Sequence, residues 1–407
     1  MRILSNDYIA NLPHSVKVAH GGPANFARNF SSFAIKEGHE WLGFIQRSTE
    51  GKKAFVRKIA TAPHREYTGC FFPSERMETF FKLPRKKDPR IYFSDEIACL
   101  QRFIKKIAPD LLFLNGYSLA SWFMLEAATR ENLPIVVQHA GIAAIEYEIY
   151  KHLYSTAARA MLLEMEQDIV RLASKQVFLN EFSYRTFSKR VLATPKKQVA
   201  IIPLPFETKN WRKEIDASMN LQEKKELVIG CVARWDRIKN HAAVLDLARE
   251  AHAQGLSWRF ESVTIVPQTR LFQRFKKEYQ KRVTVIPPMS RDALAAFYAR
   301  MDLLILPSCF DVSPTVVMEA AGAGKPTLIS PTVGWIDEYK KSGLQKWIVD
   351  FNNPTDVIKR IKQLLKQPSI RRLQNSIREL HDPRIVFNTY LHLFTDLLPY
   401  AHRSTRL

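Results

Sequence analysis

Ser308–Ser330 reads SCFDVSPTVVMEAAGAGKPTLIS, and the order of its parts decides the fold. An apolar run, DLLILPS (302–308), leads in, and another, PTLIS (326–330), leads out. Between them Ser313 and Pro314 open a helix that passes through Glu319 and stops near Gly324, ahead of Lys325–Pro326. Serine suits an N-cap, and proline suits the first helical position because its missing N–H has no partner there anyway. Short strands that are apolar throughout, joined by a helix, form a βαβ unit of a parallel sheet covered on both faces.

The same alternation extends in both directions. Strand-like runs precede this stretch at LVIGCVA (227–233), FESVTIV (260–266) and VTVIPP (283–288), and WIVD (347–350) follows it. The first half offers RILSND, DLLFLN (110–115), PIVVQH (134–139), QVFLN (176–180) and VAIIP (199–203). Two successive sets of such units predict two doubly wound α/β domains. Residues 204–226 are polar, charged and strand-free, which puts an N-terminal domain at 1–205 and a second at 206–384. The segment 385–407 begins with helical apolar spacing after Asp382–Pro383; packing within the second domain and crossing back to the first are both open to it.

Bulk properties agree with this picture. A chain of 407 residues, 46% hydrophobic, can fill two cores. No apolar run reaches the roughly 18 residues that a membrane span requires, and MRILSND lacks a signal-peptide pattern. Cys70, Cys99, Cys231 and Cys309 are far apart, which suggests reduced thiols in a cytoplasmic protein. The formal charge of +21 divides into about +10 before residue 205 and about +11 after it. An even spread points to a generally positive surface or cleft, suited to nucleic acid, anionic lipid headgroups or phosphorylated small molecules.

Three segments carry chemistry. The helix after Ser313 offers free amides and a positive dipole end to an anion, with Asp311 just before it and Glu319 about two turns along. Taken alone, such a cap is structural in most proteins. GCVARWDRIKN (230–240) sets Arg234 and Lys239 after a buried strand, where fixed cations stabilise a departing diphosphate; a solvated basic loop is the plain alternative. AHGGPANFARNFSSFAIKEGHEW (19–41) opens a helix with Gly21, Gly22 and Pro23, through which a backbone can approach a ligand closely; a tight turn is the alternative. It lacks the third glycine of a dinucleotide fingerprint. AGAGKPT is not a P-loop either, since Glu319 stands where the first glycine is required and Pro326 follows Lys325.

In this order the segments resemble glycosyltransferase family 4, over nearly the whole chain. The glycine pair with GHEW, the stretch PDLLFLNGYSLASWFMLEAATRENLPIVVQH ending in His139, KQVAIIPLPFE, the G-x-x-x-R-x-x-x-x-K segment, SRDALAAFYARMDLLILPS, Asp311…Glu319 for E-x₇-E and VGWIDEY all fall in register. The resemblance implies a GT-B fold, two Rossmann-like domains facing a cleft, and transfer with retention from a UDP- or GDP-type nucleotide sugar, with no cofactor and no metal. It implies that Arg234 and Lys239 bind the donor diphosphate, and that the backbone at Ser313, Thr315 and Val316 cradles its phosphates. Glu319 would hold the ribose, Asp311 the donor sugar, His139 the sugar's hydroxymethyl edge, and Gly21 and Gly22 would lie near the reacting centre. His139 alone reads as a structural histidine. The leaving phosphate would itself help to deprotonate the acceptor. Departures are Asp for the first Glu, Leu204–Pro205 for Asn-Gly, and Trp335 for a glycine of the donor-sugar turn.

The expected acceptor is a glycan or lipid-linked glycan, as in lipopolysaccharide or polysaccharide assembly. FFPSERMETFFKLPRKKDPR (71–90) joins paired phenylalanines to a basic run, which fits either contact with an anionic membrane face or ordinary elements with a solvated loop. A nucleic-acid-binding protein would leave Asp311 and Glu319 without a role. An epimerase or phosphorylase acting on sugar phosphates stays open.

Overall fold

The computed structural model describes residues 1–8, 11, 22–218, 226–265, 273–366 and 370–398. The chain divides into one unit made of Met1–Leu204 with Arg384–Leu407, and a second of Pro205–Pro383.

The first unit is built on eight strands: β1 (Arg2–Asn6), β2 (Glu40–Thr49), β3 (Phe55–Ala62), β4 (Arg65–Pro73), β5 (Leu111–Asn115), β6 (Ile135–His139), β7 (Lys175–Phe178) and β8 (Val199–Ile201). Their order is β3-β4-β2-β1-β5-β6-β7-β8, parallel throughout except for the β3–β4 hairpin. One face, through Leu4, Leu42, Phe44, Leu112 and Leu114, packs with Leu100, Trp122, Leu125 and Met165 of three helices. The opposite face meets helix Gly22–Lys36, whose Phe26 and Phe30 lie one turn apart on its inner stripe. Helix Pro383–Leu397 closes that face: Phe387, Tyr390 and Phe394 each place a ring centroid within 5.8 Å of Phe30. Of the two placements open to the last segment, the structure adopts the crossing back.

At the switch point between β1 and β5, the Asn6 side chain accepts from the Asn115 amide at 2.6 Å and donates to the Asn115 carbonyl at 2.9 Å. The Asn115 side chain donates to the Pro23 carbonyl and accepts from Gln138, which in turn accepts from the Tyr390 phenol at 2.7 Å. A continuous chain of satisfied polar groups thus fixes the start of helix Gly22–Lys36 and docks the C-terminal helix.

The second unit holds β9 (Leu227–Val232), β10 (Trp258–Val263), β11 (Val283–Ile286), β12 (Leu303–Leu306) and β13 (Thr327–Ile329), all parallel, in the order β11-β10-β9-β12-β13. Gly230 on β9 has a packing reason: a Cβ there would come within 2.7 Å of Met301 Sδ and 3.1 Å of the Phe297 ring. Only glycine lets helix Arg291–Arg300 lie this close to the sheet.

Three expectations change. Residues 204–226 are not a plain linker, because Thr208–Ser218 is a helix whose Trp211 and Ile215 are buried. WIVD makes a single bridge, Ile329 to Ile348, and no strand. The strands β2, β3 and β4 were not anticipated. In the 71–90 stretch, of the two readings left open, the structure has ordinary elements with a solvated loop: Phe72 and Phe80 belong to the core, and Lys82 and Arg85–Lys87 are exposed.

The aromatic cluster predicts that Phe30→Ala costs about 3–5 kcal/mol of stability, read as a lower urea midpoint for the first unit. A change under about 1 kcal/mol would show that the cluster does not hold the C-terminal helix in place.

Candidate functional site

In the second sheet the strand order reverses between β9 and β12, so the loops after these two strands diverge and leave a crevice at their carboxyl ends. The β9 loop is tightly built. His241 is largely buried, which lowers its pKa and keeps the ring neutral. Its Nε2 donates to the Arg234 carbonyl at 2.9 Å, and its ring stacks on Trp235 at 4.4 Å. Asp236 accepts from the Ile238 amide and caps the short turn Arg237–Lys239. Asn240 closes the turn at φ 53°, a left-handed conformation that asparagine tolerates. The Arg234 side chain stays 77% exposed, 3.9 Å from Asp236.

The β12 loop meets this one directly. The Cys309 amide donates to the Ile238 carbonyl at 2.7 Å. Asp311 pairs in parallel with Val333 as an isolated bridge, which ties it to the VGWIDEY turn. Lys239 and Asp311, separated by 72 residues in sequence, form an ion pair with side chains only 19% and 13% exposed. The structure therefore joins the predicted diphosphate ligand to the predicted sugar ligand.

Helix Thr315–Gly322 begins one residue later than expected. Its N-cap is Pro314, with φ −67° and ψ 121°, and no side chain caps its first turn. Ser313 is thus not the cap: it precedes an extended Pro314, whose ring already fixes the φ that the cap requires. Trp335, which stands where the resemblance expects a glycine, turns into the core. It is buried, stacks on His381 and donates from Nε1 to the Pro314 carbonyl at 3.2 Å. Thr315 and Val316 are half-buried at the open end of the helix. One turn further, Glu319 bonds to Thr315 and accepts from the Tyr298 phenol at 2.7 Å, and burial raises its pKa. Trp211 donates to the Glu319 carbonyl at 2.8 Å. Asp311, Lys239, Thr315, Val316 and Glu319 thus line one sheet edge, with Arg234 on the same loop as Lys239. The contributions of Tyr298, Trp211 and Trp335 were missed, because an aromatic residue at a core position carries no sequence mark of a hydrogen bond to a site.

The N-terminal candidates differ. Gly21 lies outside the described residues. Gly22 starts its helix, and a Cβ there would meet nothing within 4 Å, so no steric demand for glycine exists at that position. His139 was assigned to the sugar edge by resemblance, yet its ring is 1% exposed and sandwiched at 4.3 Å from both Phe178 and Phe187. Its Nε2 meets Gln176 at 3.2 Å, and burial pushes its pKa down to about 3. In this structure it is a core histidine. Among the described residues no three His, Cys, Asp or Glu side chains gather as a metal site would need, and no helix is long and apolar enough to cross a membrane.

Two Rossmann-like α/β units built on largely parallel sheets define the GT-B fold. Residues 212–379, which include the whole crevice, match the family model of glycosyl transferases group 1. The solved sucrose-phosphate synthase of Thermosynechococcus elongatus superimposes with a TM-score of 0.71 at 16% identity, covering 98% of this chain and 99% of that one. The trehalose-6-phosphate protein of E. coli, bound with UDP-2-fluoro glucose, gives 0.64 at 13% identity, covering 97% and 99%. Among curated proteins, the candidate glycosyltransferase EpsF of Bacillus subtilis (strain 168) is 25% identical over 107 residues, 26% of this chain. The chain spans only 28% of that relative's length.

A neutral buried histidine has a pH signature. The unfolded chain binds a proton on His139 below its ordinary pKa of 6.5, whereas the folded state does so only near 3. Stability therefore falls as pH drops through that window, by up to about 1.4 kcal/mol per pH unit. His139→Phe is expected to flatten this slope without lowering transfer activity. An unchanged slope, or loss of activity in a folded variant, would restore a functional role.

Proposed function

We propose that the protein is a retaining glycosyltransferase of the family 4 kind, which moves a sugar from a UDP- or GDP-type nucleotide sugar to a hydroxyl of a sugar acceptor. The observation that carries this is the Lys239–Asp311 pair beside a helix start that no side chain caps. Cations and oriented amides at one sheet edge suit a diphosphate, and they stabilise it most as charge develops during bond breaking. In this reading the Thr315 and Val316 amides receive the distal phosphate, and Lys239 exchanges Asp311 for the diphosphate, with Arg234 as a second cation. Asp311, once released, accepts from donor-sugar hydroxyls, and Glu319 holds the ribose. The glycosidic C1–O bond breaks, the acceptor oxygen bonds to C1 on the same face, and the acceptor proton passes to the departing phosphate. No side-chain base and no metal has to act.

For the acceptor, the net charge of +21 favours an anionic sugar, and the names of the similar solved structures refer to sugar phosphates. A lipid-linked or lipopolysaccharide-type glycan at an anionic membrane face is the second reading, favoured by the exposed basic run 82–87. Four free cysteines fit a reducing, cytoplasmic setting.

Thermal shift with UDP and GDP and their sugars, followed by release of nucleotide diphosphate, tests the reading. A ligand at 100 times its Kd adds about 2.7 kcal/mol. Lys239→Ala should weaken diphosphate binding and lower transfer about a hundredfold or more. Asp311→Asn should keep or tighten diphosphate binding, since it frees Lys239, and still lose transfer. Unaltered nucleotide binding in Lys239→Ala would refute the site.

A further inference from the structure

Tyr298 lies on helix Arg291–Arg300, outside the sheet-edge loops, and is completely buried. Its phenol hydrogen goes to Glu319 Oε2 at 2.7 Å, a short bond from a neutral donor to a carboxylate. Thr315, one turn before Glu319 on its own helix, supplies another hydrogen bond to that side chain. Among the described residues no cation stands within ion-pair distance of Glu319. A half-buried carboxylate raised in pKa by desolvation is held here directly by two hydroxyls, with Arg291 lending a smaller favourable charge from beyond ion-pair distance. Hydroxyl donors fix the direction of the carboxylate and favour its ionised form while leaving its charge uncancelled.

The brace is rigid. The Tyr298 ring packs edge-on against Trp211 at 5.6 Å, and Trp211 both donates to the Glu319 carbonyl and lies against Gly322, where a Cβ would meet its ring at 2.6 Å. Side chain and backbone of Glu319 are therefore located by two different helices. Each carboxylate oxygen has two acceptor positions, so an oxygen engaged by Tyr298 can still accept from a second hydroxyl. A vicinal diol is the ligand group that meets a directed, ionised carboxylate with two donors at once.

We infer that Tyr298 is a positioning residue that sets the enzyme's selectivity for ribose over deoxyribose in the donor nucleotide, acting through Glu319. This rests on the donor-site reading above. Loss of the phenol frees the carboxylate to rotate and to take up a proton, and a diol then gains little over a deoxy sugar.

The test measures binding of UDP and GDP, and of their 2′,3′-dideoxy counterparts, to the full chain by calorimetry. The wild type should prefer the ribonucleotide by about tenfold or more, equivalent to about 1.4 kcal/mol. Tyr298→Phe keeps the ring and removes the donor; it should weaken the ribonucleotide about three- to tenfold and leave the dideoxy form nearly unchanged, collapsing the ratio. Glu319→Gln should do the same, and Trp211→Phe, which removes the bond to the Glu319 carbonyl but neither hydroxyl donor to its carboxylate, should retain the ratio. A Tyr298→Phe protein that melts earlier but keeps the full ratio overturns the inference, as does a wild type that binds both forms equally. If neither UDP nor GDP binds the wild type, the donor-site reading itself fails. If Tyr298→Phe does not fold, Glu319→Gln decides.

Discussion

A half-buried lysine and a half-buried aspartate that face each other at the end of a parallel sheet constrain most of what surrounds them. Neither Lys239 nor Asp311 is exposed enough for water to solvate it freely, so each requires the other while no ligand is present. Such a pair contributes little net stability, because desolvation offsets most of its attraction. Removing one member, however, strands the other. That asymmetry is suited to a site whose ligand brings its own charge: a diphosphate can replace Asp311 at Lys239 without leaving a buried cation unpaired, provided that Asp311 finds hydroxyls to accept from.

The geometry that allows this is set by strand order. In β11-β10-β9-β12-β13 the chain winds one way from β9 and the other way from β12, and only at that junction do neighbouring loops part. The divergence is then limited by backbone bonds: the Cys309 amide to the Ile238 carbonyl on one side, and the Asp311–Val333 bridge on the other. His241, neutral because it is buried, fixes the root of the same loop through the Arg234 carbonyl. The loops are thereby tied down where they hold the ion pair, while Arg234 and Arg237 stay exposed.

Much of this was legible in the sequence, and the failures have physical causes. Buried parallel strands such as LLIL and LVIGCV declare themselves because both faces require apolar residues. The edge hairpin β3–β4 does not, since FVRKIATA exposes half its residues and carries charges in place of an apolar run. Ser313 resembled a cap because the rule weighs hydroxyl chemistry, whereas Pro314 satisfies the cap by conformation alone. His139 was given its sugar-edge role by resemblance, whereas read alone it is a structural histidine, and at the end of β6 two phenylalanines from β7 and the following helix enclose it. The helix in 204–226 was hidden by its polarity, and its role depends on a single tryptophan. Lys239 and Asp311 pair, and Glu319 follows on the next helix, because strand ends in a parallel sheet align; Tyr298 was not legible, since its hydroxyl meets Glu319 through packing and not through any spacing.

The two units treat helix starts in opposite ways. After β6 the half-buried amides of Ala143 and Ala144 both donate to the buried Glu166 carboxylate, at 2.8 and 2.7 Å. The chain there provides its own anion, and burial raises that carboxyl's pKa to about 7. After β12 the helix Thr315–Gly322 receives no such group, although Asp311 is only four residues upstream and carries the charge to serve. Asp311 is drawn to Lys239 instead, and Trp335 anchors the Pro314 carbonyl so that the open turn keeps its form without a cap. Unsatisfied amides persist where water or a ligand completes them. A fold that closes one such turn with its own carboxylate and holds the nearest carboxylate away from another leaves the second turn open, as the proposed binding of an external phosphate requires.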